Sequence, residues 1–151
     1  MKLSTKGRYG LRAVIDLALA SESDRAVSIT SIARRQSLSK SYLEQLVRSL
    51  RRAGLVASTR GAQGGYRLAK SPAEISVGDI LRALEGDLDP VDCAALRASG
   101  QCTAQEVCVT KYVWERISDS INAAVDGITL QQLLDESRLH AGGSVRCACE
   151  E

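Results

Sequence analysis

The sequence contains no phenylalanine, and its aromatic residues are one tryptophan and four tyrosines. The core of such a chain must be aliphatic, and leucine, isoleucine, valine and alanine side chains pack well between helices. β-Sandwiches and surfaces that stack single-stranded bases need more aromatic rings. A chain of 151 residues with 44% apolar content can form one ordinary core. Because that core must be aliphatic, we expect a mainly helical protein.

Charge is divided unevenly along the chain. Residues 1–70 carry 14 Lys and Arg against 4 Asp and Glu, whereas residues 71–151 carry 6 against 14. The halves therefore have net charges of +10 and −8. This contrast predicts that the first half binds a polyanion and that the second half stays away from it. Arginine predominates among the cations of the basic half, which suits contacts to phosphate groups.

Capping residues and hydrophobic spacing predict two helices at the start of the chain. The first begins at Ser4 or Thr5 and reaches about Ser21, with leucine, valine and isoleucine at helical spacing. A polar stretch separates it from a short second helix that ends near Gln36. The polar residues 37–39 then predict a tight turn.

A third helix and a hairpin are predicted to follow that turn. The sequence Ser41-Tyr42-Leu43-Glu44 fits a capping box, in which the serine hydroxyl caps the helix and Glu44 reaches back to the cap. Gly54 is placed to end this helix. Two β-compatible stretches joined by the glycine-rich tip 61–65 predict a β-hairpin over residues 55–68.

This order of elements is typical of a winged helix-turn-helix, whose second helix enters the major groove of DNA. Lys40 is suited to phosphate or guanine, Gln45 to adenine and Glu44 to cytosine, although a cap alone would also explain Glu44. Glycines at the tip let the backbone approach DNA while flanking arginines grip phosphate or enter the minor groove; a solvated loop is the alternative. The candidate DNA contacts are Ser39, Lys40, Ser41, Glu44, Gln45, Arg60, Gly64 and Arg67.

The second half predicts further helices around an irregular segment. Ser76 and Asp79 resemble a capping box that opens a short helix, and residues 86–100 are acidic and predicted to be irregular. Thr129 is placed to cap a last short helix. The residues from His140 onward resemble a frayed tail.

Between the irregular segment and the last helix, a long helix is predicted from Thr103 to Val125. Its stripe of valine, isoleucine and tryptophan exceeds what a small monomer needs to cover. That excess favours pairing with a second copy of the helix, and packing on its own domain is the alternative.

Three of the five cysteines, Cys93, Cys102 and Cys108, form a C-x8-C-x5-C pattern near the start of this long helix. The absence of a C-x2-C pair disfavours a zinc finger. Three thiolates suit a metal or cluster with a further ligand from elsewhere, and unpaired reduced thiols are equally compatible with the spacing. Cys147 and Cys149 form a C-x-C pattern that fits metal binding or a floppy terminus.

Six segments of the chain carry a family resemblance when they are taken together. They are Met1–Ala13, Ser41–Leu46, Gly54–Val56, Arg60–Tyr66, Ser76–Ile80 and Ile128–Leu130. Their combination closely resembles the IscR/NsrR family of winged-helix transcription regulators over about residues 1–135. The resemblance implies a homodimer that binds a double-stranded DNA operator, and we expect a repressor.

The resemblance also implies an iron–sulfur cluster on Cys93, Cys102 and Cys108, with a 2Fe–2S cluster favoured. IscR-like members regulate cluster biogenesis, NsrR-like members sense nitric oxide, and some members work without a cluster under a protein partner or small molecule. We expect an IscR-like regulator of cluster biogenesis genes. The nitric oxide sensor and the cluster-free regulator remain the alternatives.

Two positions depart from the family pattern. The histidine that IscR-like members keep three residues after the third cysteine is Lys111 here, and an ammonium is not a ligand. The acidic residue that NsrR-like members keep near the start of the first helix is Arg8. The fourth ligand is therefore unknown, and the candidates are a carboxylate, His140, a tail thiol and an exogenous ligand.

We divide the chain into a DNA-binding domain (1–85), a cysteine-bearing loop (86–108), a dimerisation helix with a short last helix (109–138) and a flexible tail (139–151). No apolar run has the length of a membrane span and the start carries no signal-type segment, so we expect a cytoplasmic protein. A redox enzyme is disfavoured because the sequence lacks a C-x2-C pair, a nucleotide-binding fingerprint and a histidine placed as a base.

Overall fold

A computed structural model describes residues 4–21, 25–62, 64–91, 93 and 108–141. A short 3₁₀ turn, Pro72–Glu74, precedes the fourth helix. The other elements in chain order are α1 (Thr5–Ala20), α2 (Ile29–Arg35), α3 (Lys40–Arg52), β1 (Val56–Thr59), β2 (Gly65–Leu68), α4 (Val77–Glu85), α5 (Val109–Asp126) and α6 (Leu130–Ala141). The predicted mainly helical architecture with one hairpin is confirmed.

Helix α1 begins at the predicted cap and packs closely on α4. The Ser4 hydroxyl accepts a hydrogen bond from the Lys6 N–H at 3.0 Å. The Glu85 carboxylate, at the end of α4, accepts from the backbone N–H of Ser4 at 3.1 Å and of Gly7 at 2.7 Å. An acidic group at a helix N-terminus is favourable because it complements the helix dipole. Glu85 thus joins the start of α1 to the end of α4.

Helices α2 and α3 form the predicted helix-turn-helix pair. Ser37 adopts a left-handed backbone (φ 54°), and the Leu38 N–H donates to the Ala33 carbonyl at 2.9 Å. These features turn the chain sharply between the helices. Leu43 and Leu50 are fully buried, so the apolar stripe of α3 faces the core and its charged residues face outward.

The end of α3 leads directly into the hairpin. Gly54 has φ 71°, its N–H donates to the Arg51 carbonyl, and the next N–H, of Leu55, donates to the Leu50 carbonyl, each at 3.0 Å. This is a Schellman ending, as the glycine predicted. β1 and β2 pair antiparallel with Val56 opposite Leu68. A single bridge from Val27 to Tyr66 ties the segment before α2 to the hairpin.

One aliphatic core joins all these elements except α5. Its fully buried side chains are Val14, Ile32, Leu43, Leu50, Ile75, Ile80 and Leu130. A smaller cluster of Val77, Leu81 and Leu88 packs against Ile121 and Val125, in the second half of α5. Helix α5 therefore rests on the domain through its C-terminal half.

The capping box before α4 is confirmed. The Ser76 hydroxyl accepts from the Asp79 N–H and the Asp79 carboxylate accepts from the Ser76 N–H, both at 3.0 Å. Arg82 on α4 holds α5, because its guanidinium donates to Asn122 at 2.9 Å and pairs with Asp126. Within the described residues, no helix is both long and apolar enough to cross a bilayer.

Two predicted boundaries in the second half are wrong. The long helix begins at Val109 rather than Thr103, because Cys108 has extended backbone angles (φ −78°, ψ 97°) and occupies the cap position. The last helix begins after Thr129, whose hydroxyl accepts from the Gln132 N–H at 3.2 Å. It continues through Ala141, so His140 belongs to a helical turn rather than to a tail.

Candidate nucleic-acid interface and cysteine site

The capping box predicted at the start of α3 is wrong. Ser39 is the cap, since its hydroxyl accepts from the Tyr42 N–H at 3.2 Å. The Ser41 hydroxyl lies 3.4 Å from the Ser39 hydroxyl, and Glu44 lies 3.9 Å from the Lys40 ammonium. Glu44 is therefore not a capping residue and forms a weak ion pair one turn along an exposed face.

The first turn and a half of α3 presents one exposed polar surface. Ser39, Lys40, Ser41, Glu44 and Gln45 are all exposed, while the opposite side of the helix is buried. The side chains of Lys40 and Glu44 are 59% and 47% exposed. The five predicted residues of α3 thus share one accessible surface whose hydrogen-bonding groups are available to a partner.

The hairpin carries the two predicted arginines, and one of them, Arg67, lines an open groove. Arg60 and Arg67 are exposed. Gly64 is half-buried, and a Cβ there would lie 2.6 Å from the Thr59 carbonyl oxygen. Glycine at this position is therefore required by the close approach of the two strands, whatever else it contacts. Gln63, beside it, lies outside the described residues.

The groove between α2 and the hairpin has a volume of about 1010 Å³. Arg25, Arg35 and Arg67 line it together with Ser31, and its described lining includes no acidic residue. Sequence reasoning missed Arg25 because it stands in a polar stretch that carries no periodic signal. The cation count of the first half was the only sign of it.

Arg35 is held in place by a buried carboxylate. Its Nε and Nη2 atoms donate to Asp16 of α1 at 3.0 and 2.8 Å, and Asp16 is 8% exposed. Hydrogen bonding to Asp16 raises the pKa of Arg35 above its ordinary value, so the guanidinium stays charged. The same guanidinium also donates to the Ser31 hydroxyl, and the whole set fixes α2 against α1.

Two of the three predicted cluster cysteines are described, and both flank the start of α5. Cys108 is the cap residue of α5 and is partly exposed. Cys93 lines a small cavity of about 120 Å³ with Lys111 and Trp114 of α5. Cys102, Cys147 and Cys149 lie outside the described residues. Among the described residues alone, no cluster of three or more metal-binding side chains is present.

The Cys108 thiol is in an environment that favours its ionised form. Its sulfur lies 3.2 Å from the Thr110 hydroxyl. That hydrogen bond, followed by the backbone N–H of Lys111, lowers the pKa of Cys108 below its ordinary value. A thiolate is the form that binds iron, so this position suits a ligand.

The two positions that depart from the family pattern, and the candidate ligand His140, take part in other interactions. Lys111 pairs with Glu115 at 3.5 Å. The Arg8 guanidinium lies over the Tyr9 ring, 5.4 Å from its centroid. His140 lies 3.1 Å from Glu136 on the exposed surface of α6.

The first half of α5 exposes large apolar side chains. Val109 is 84% exposed and Tyr112 is 66% exposed, and Val113, Trp114 and Ile117 are between 36% and 47% exposed. We call these five residues the α5 apolar face. They extend beyond the part of α5 that packs on the domain, so the alternative that the whole stripe packs internally is wrong.

Comparison with known proteins identifies the family. The Rrf2 family, described as iron-dependent transcriptional regulators, matches residues 3–136 of the chain. The chain belongs to the Rrf2 family. The Rrf2-family regulator IscR of Cronobacter sakazakii is 40% identical over 139 residues, which cover 92% of this chain and 83% of that protein.

Solved Rrf2-family structures share the fold. IscR of T. potens is 47% identical with a TM-score of 0.71 and covers 91% of this chain and 88% of its own. CymR, the global cysteine regulator of B. subtilis, is 42% identical with a TM-score of 0.73 and covers 90% of this chain and 98% of its own. The relatives are transcription regulators and not enzymes. This Rrf2-family chain is accordingly an IscR-like helix-turn-helix transcription regulator.

Proposed function

We propose that this regulator is a homodimeric repressor whose operator binding depends on an iron–sulfur cluster held by Cys93, Cys102 and Cys108, and that it controls cluster biogenesis genes. The observations that carry the DNA-binding part are the exposed polar surface of α3 and the arginine-lined groove between α2 and the hairpin. Both surfaces belong to the half of the chain with a net charge of +10.

The start of α3 is the element that reads bases in the major groove. The Gln45 amide is suited to a bidentate contact with adenine, and the Glu44 carboxylate to the amino group of cytosine. Lys40 contacts guanine or phosphate. Because Glu44 is exposed and has no capping role, its charge repels any base edge or phosphate that does not offer a donor. Glu44 therefore supplies discrimination.

Removal of Glu44 tests this assignment. Glu44→Ala should raise the affinity for operators that lack the matched cytosine. The ratio of the affinities for matched and unmatched operators should fall by about 5- to 150-fold, which is the range of one base contact. Fluorescence anisotropy with paired operators measures that ratio. Equal loss of affinity on every site would refute the reading role.

The hairpin arginines supply phosphate contacts in this proposal. Arg60→Ala and Arg67→Ala should each weaken DNA binding and reduce the slope of log affinity against log salt by about 1, because one released counterion is lost per contact. Arg52→Ala is the matched control, since Arg52 is exposed at the far end of α3, does not line the groove and is not part of the hairpin. Unchanged slopes in both hairpin variants would contradict the proposal.

The cluster part of the proposal rests on the two thiols beside the start of α5. A lowered Cys108 pKa and the position of Cys93 next to Lys111 fit a soft-metal site that joins the loop after α4 to α5. An iron–sulfur cluster, when bound, would supply a covalent cross-link between these segments that iron loss or oxidation removes. The chain's own part is to couple that loop to α5, and α5 to α4 through Arg82.

Anaerobic purification tests the cluster. We expect visible absorption with iron and sulfide in wild type, and loss of both in Cys93→Ala, Cys102→Ala and Cys108→Ala. Lys111→Ala should retain the iron, and Lys111→His should change the spectrum because it places an imidazole one turn after Cys108. The double variant Cys147→Ala/Cys149→Ala is the control and should retain iron. A colourless wild-type protein with full operator affinity would instead support the cluster-free regulator.

The dimer part rests on the α5 apolar face. A contiguous set of half-exposed and exposed large apolar side chains is costly in water, and a second copy of the same helix is a self-complementary cover. Pairing through α5 would also bring two α3 surfaces together at a fixed separation, which matches a two-fold operator. In a promoter-reporter assay, deletion of the gene should raise expression of cluster biogenesis genes if the protein represses them.

A further inference from the structure

A second cavity, separate from the groove, lies between the end of α1, strand β2 and α6. It has a volume of about 240 Å³, and we call it the α6 cavity. Its lining comprises Ala18, Ser21, Arg67, Leu68, Lys70, Pro72, Gln131, Leu134 and Arg138. Drug-sized ligands occupy pockets of about 300–1,000 Å³, so the α6 cavity suits a smaller molecule.

The lining of the α6 cavity is strongly cationic. Arg67 reaches it from β2, Lys70 from the loop after β2 and Arg138 from α6, and no acidic residue is among its described lining. Asp135 neutralises Arg138 at 2.8 Å, but it stands outside the lining. Neither Arg67 nor Lys70 forms an ion pair with any of the residues that the structure describes. The cavity therefore presents more positive charge than the protein compensates.

The remaining lining provides an apolar base and neutral hydrogen-bonding groups. Leu134 and Ala18 are buried at 3% and 5% exposure. The Ser21 hydroxyl commits its proton to the Ala18 carbonyl, whereas the Gln131 amide donates one N–H to Asp135 at 2.9 Å and keeps the second for a ligand. An apolar base with convergent cations is the pattern that binds a small organic anion.

Arg67 lines both the α6 cavity and the DNA-side groove. It stands on β2 and is exposed, so one residue contributes to both spaces. An anion held on the cavity side draws the guanidinium toward itself, offsets its charge and repels a phosphate on the other side. Occupation of the α6 cavity and contact of Arg67 with DNA are therefore mutually opposed.

We propose that the α6 cavity binds a small dianion, carried as two carboxylates or as a phosphate group, and that this effector weakens operator binding by taking Arg67. The regulatory consequence rests on the proposed DNA-binding function, whereas the anion site itself does not. Linkage requires that DNA in turn lowers the affinity for the anion by the same factor.

Titration calorimetry with succinate and with inorganic phosphate, each at ionic strength held constant with sodium chloride, tests the site directly. We expect one of the two to bind with one site per protomer, and the one that binds identifies the anion class. Lys70→Gln and Arg138→Gln should each weaken it about tenfold or more, the effect of one lost charge-assisted hydrogen bond. The matched control Arg52→Gln removes an exposed arginine that lines neither space and should bind as wild type does.

The second arm measures DNA binding with and without the anion that binds. The anion should raise the wild-type dissociation constant for DNA, while Lys70→Gln and Arg138→Gln should bind DNA normally and lose that sensitivity. Binding of neither probe, or equal weakening by Arg52→Gln, would overturn the site. A loss of DNA affinity in Lys70→Gln without anion, as large as in Arg67→Ala, would make the cavity part of the DNA interface and also overturn it. If wild type binds no DNA, the calorimetric arm still decides on the anion site.

Discussion

The ion pair between Asp16 and Arg35 allows a quantitative test of how α2 is positioned. Asp16→Leu removes a carboxylate that is 8% exposed and leaves the guanidinium without its partner. Breaking a fully buried pair costs about 3–5 kcal/mol. The Arg35 side chain is 42% exposed and keeps part of its hydration, so we expect a lower cost, about 1.5–3 kcal/mol.

The double variant Asp16→Leu/Arg35→Met supplies the control. It removes both charges and leaves apolar side chains of similar size, so we expect a free energy of unfolding within about 1 kcal/mol of the wild-type value. Urea unfolding followed by circular dichroism, at one fixed protein concentration, gives the free energies for a double-mutant cycle. For a chain of this size, the Asp16→Leu loss corresponds to a melting temperature lower by about 3–12 °C.

The same variants should separate stability from function. Asp16→Leu should weaken operator binding even at temperatures where it is fully folded, because α2 braces α3 through the turn at Leu38. An interaction energy below about 0.5 kcal/mol in the cycle would refute the assigned role of the pair. Undiminished DNA affinity in folded Asp16→Leu would refute the link to α3.

Three further outcomes follow from packing, capping and exposure. Gly10→Ala should destabilise by about 1–3 kcal/mol because its Cβ would overlap Leu84, and Leu84→Ala should relieve most of that cost in a double variant measured by urea unfolding. Asp79→Ala should cost about 1 kcal/mol at neutral pH. The pKa of Asp79 is lowered by the Ser76 N–H, so this contribution is present above about pH 4 and lost as pH falls further. The difference in melting temperature between wild type and Asp79→Ala should therefore narrow in acid, and a constant difference across a pH series would contradict the assignment. In analytical ultracentrifugation we expect wild type to sediment as the proposed dimer and Trp114→Glu to sediment as a monomer. A variant with the same mass as a dimeric wild type would exclude the α5 apolar face as the interface.

Local patterns predicted those elements whose ends are fixed by nearby residues. The Ser4 cap, the Gly54 ending and the box at Ser76 each depend on a hydroxyl or a left-handed glycine acting within a few residues. Such interactions can be predicted from the sequence because no distant segment is needed to form them.

The errors arose where two local solutions competed and a tertiary contact chose between them. Ser39 and Ser41 both precede the apolar run of α3, and the sequence favours Ser41 because Glu44 completes a capping box. The turn at Ser37 and the burial of Leu43 fix the helix one residue after Ser39 instead. The start of α5 is a similar case, since a continuous apolar stripe did not reveal that Cys108 leaves the helix.

Some of the candidate site could not be predicted because it exists only between elements. Arg25 and Arg67 are 42 positions apart in the sequence, and they line the same groove because the Val27 bridge ties the segment before α2 to β2. The sharing of Arg67 between two spaces has the same origin. The spacing of these residues along the chain does not predict either arrangement.

The short connection from α3 to the hairpin holds the two proposed DNA-reading elements at a fixed distance from each other. Three residues separate Arg52 from Val56, and the last of them, Leu55, is 3% exposed and donates its N–H to the Leu50 carbonyl. The Ala69 N–H closes the other strand onto Leu55. The spacing between the proposed major-groove contact and the proposed hairpin contact is therefore set within one chain. In the proposed dimer, a different operator would be accommodated by a change in the distance between half-sites rather than within one.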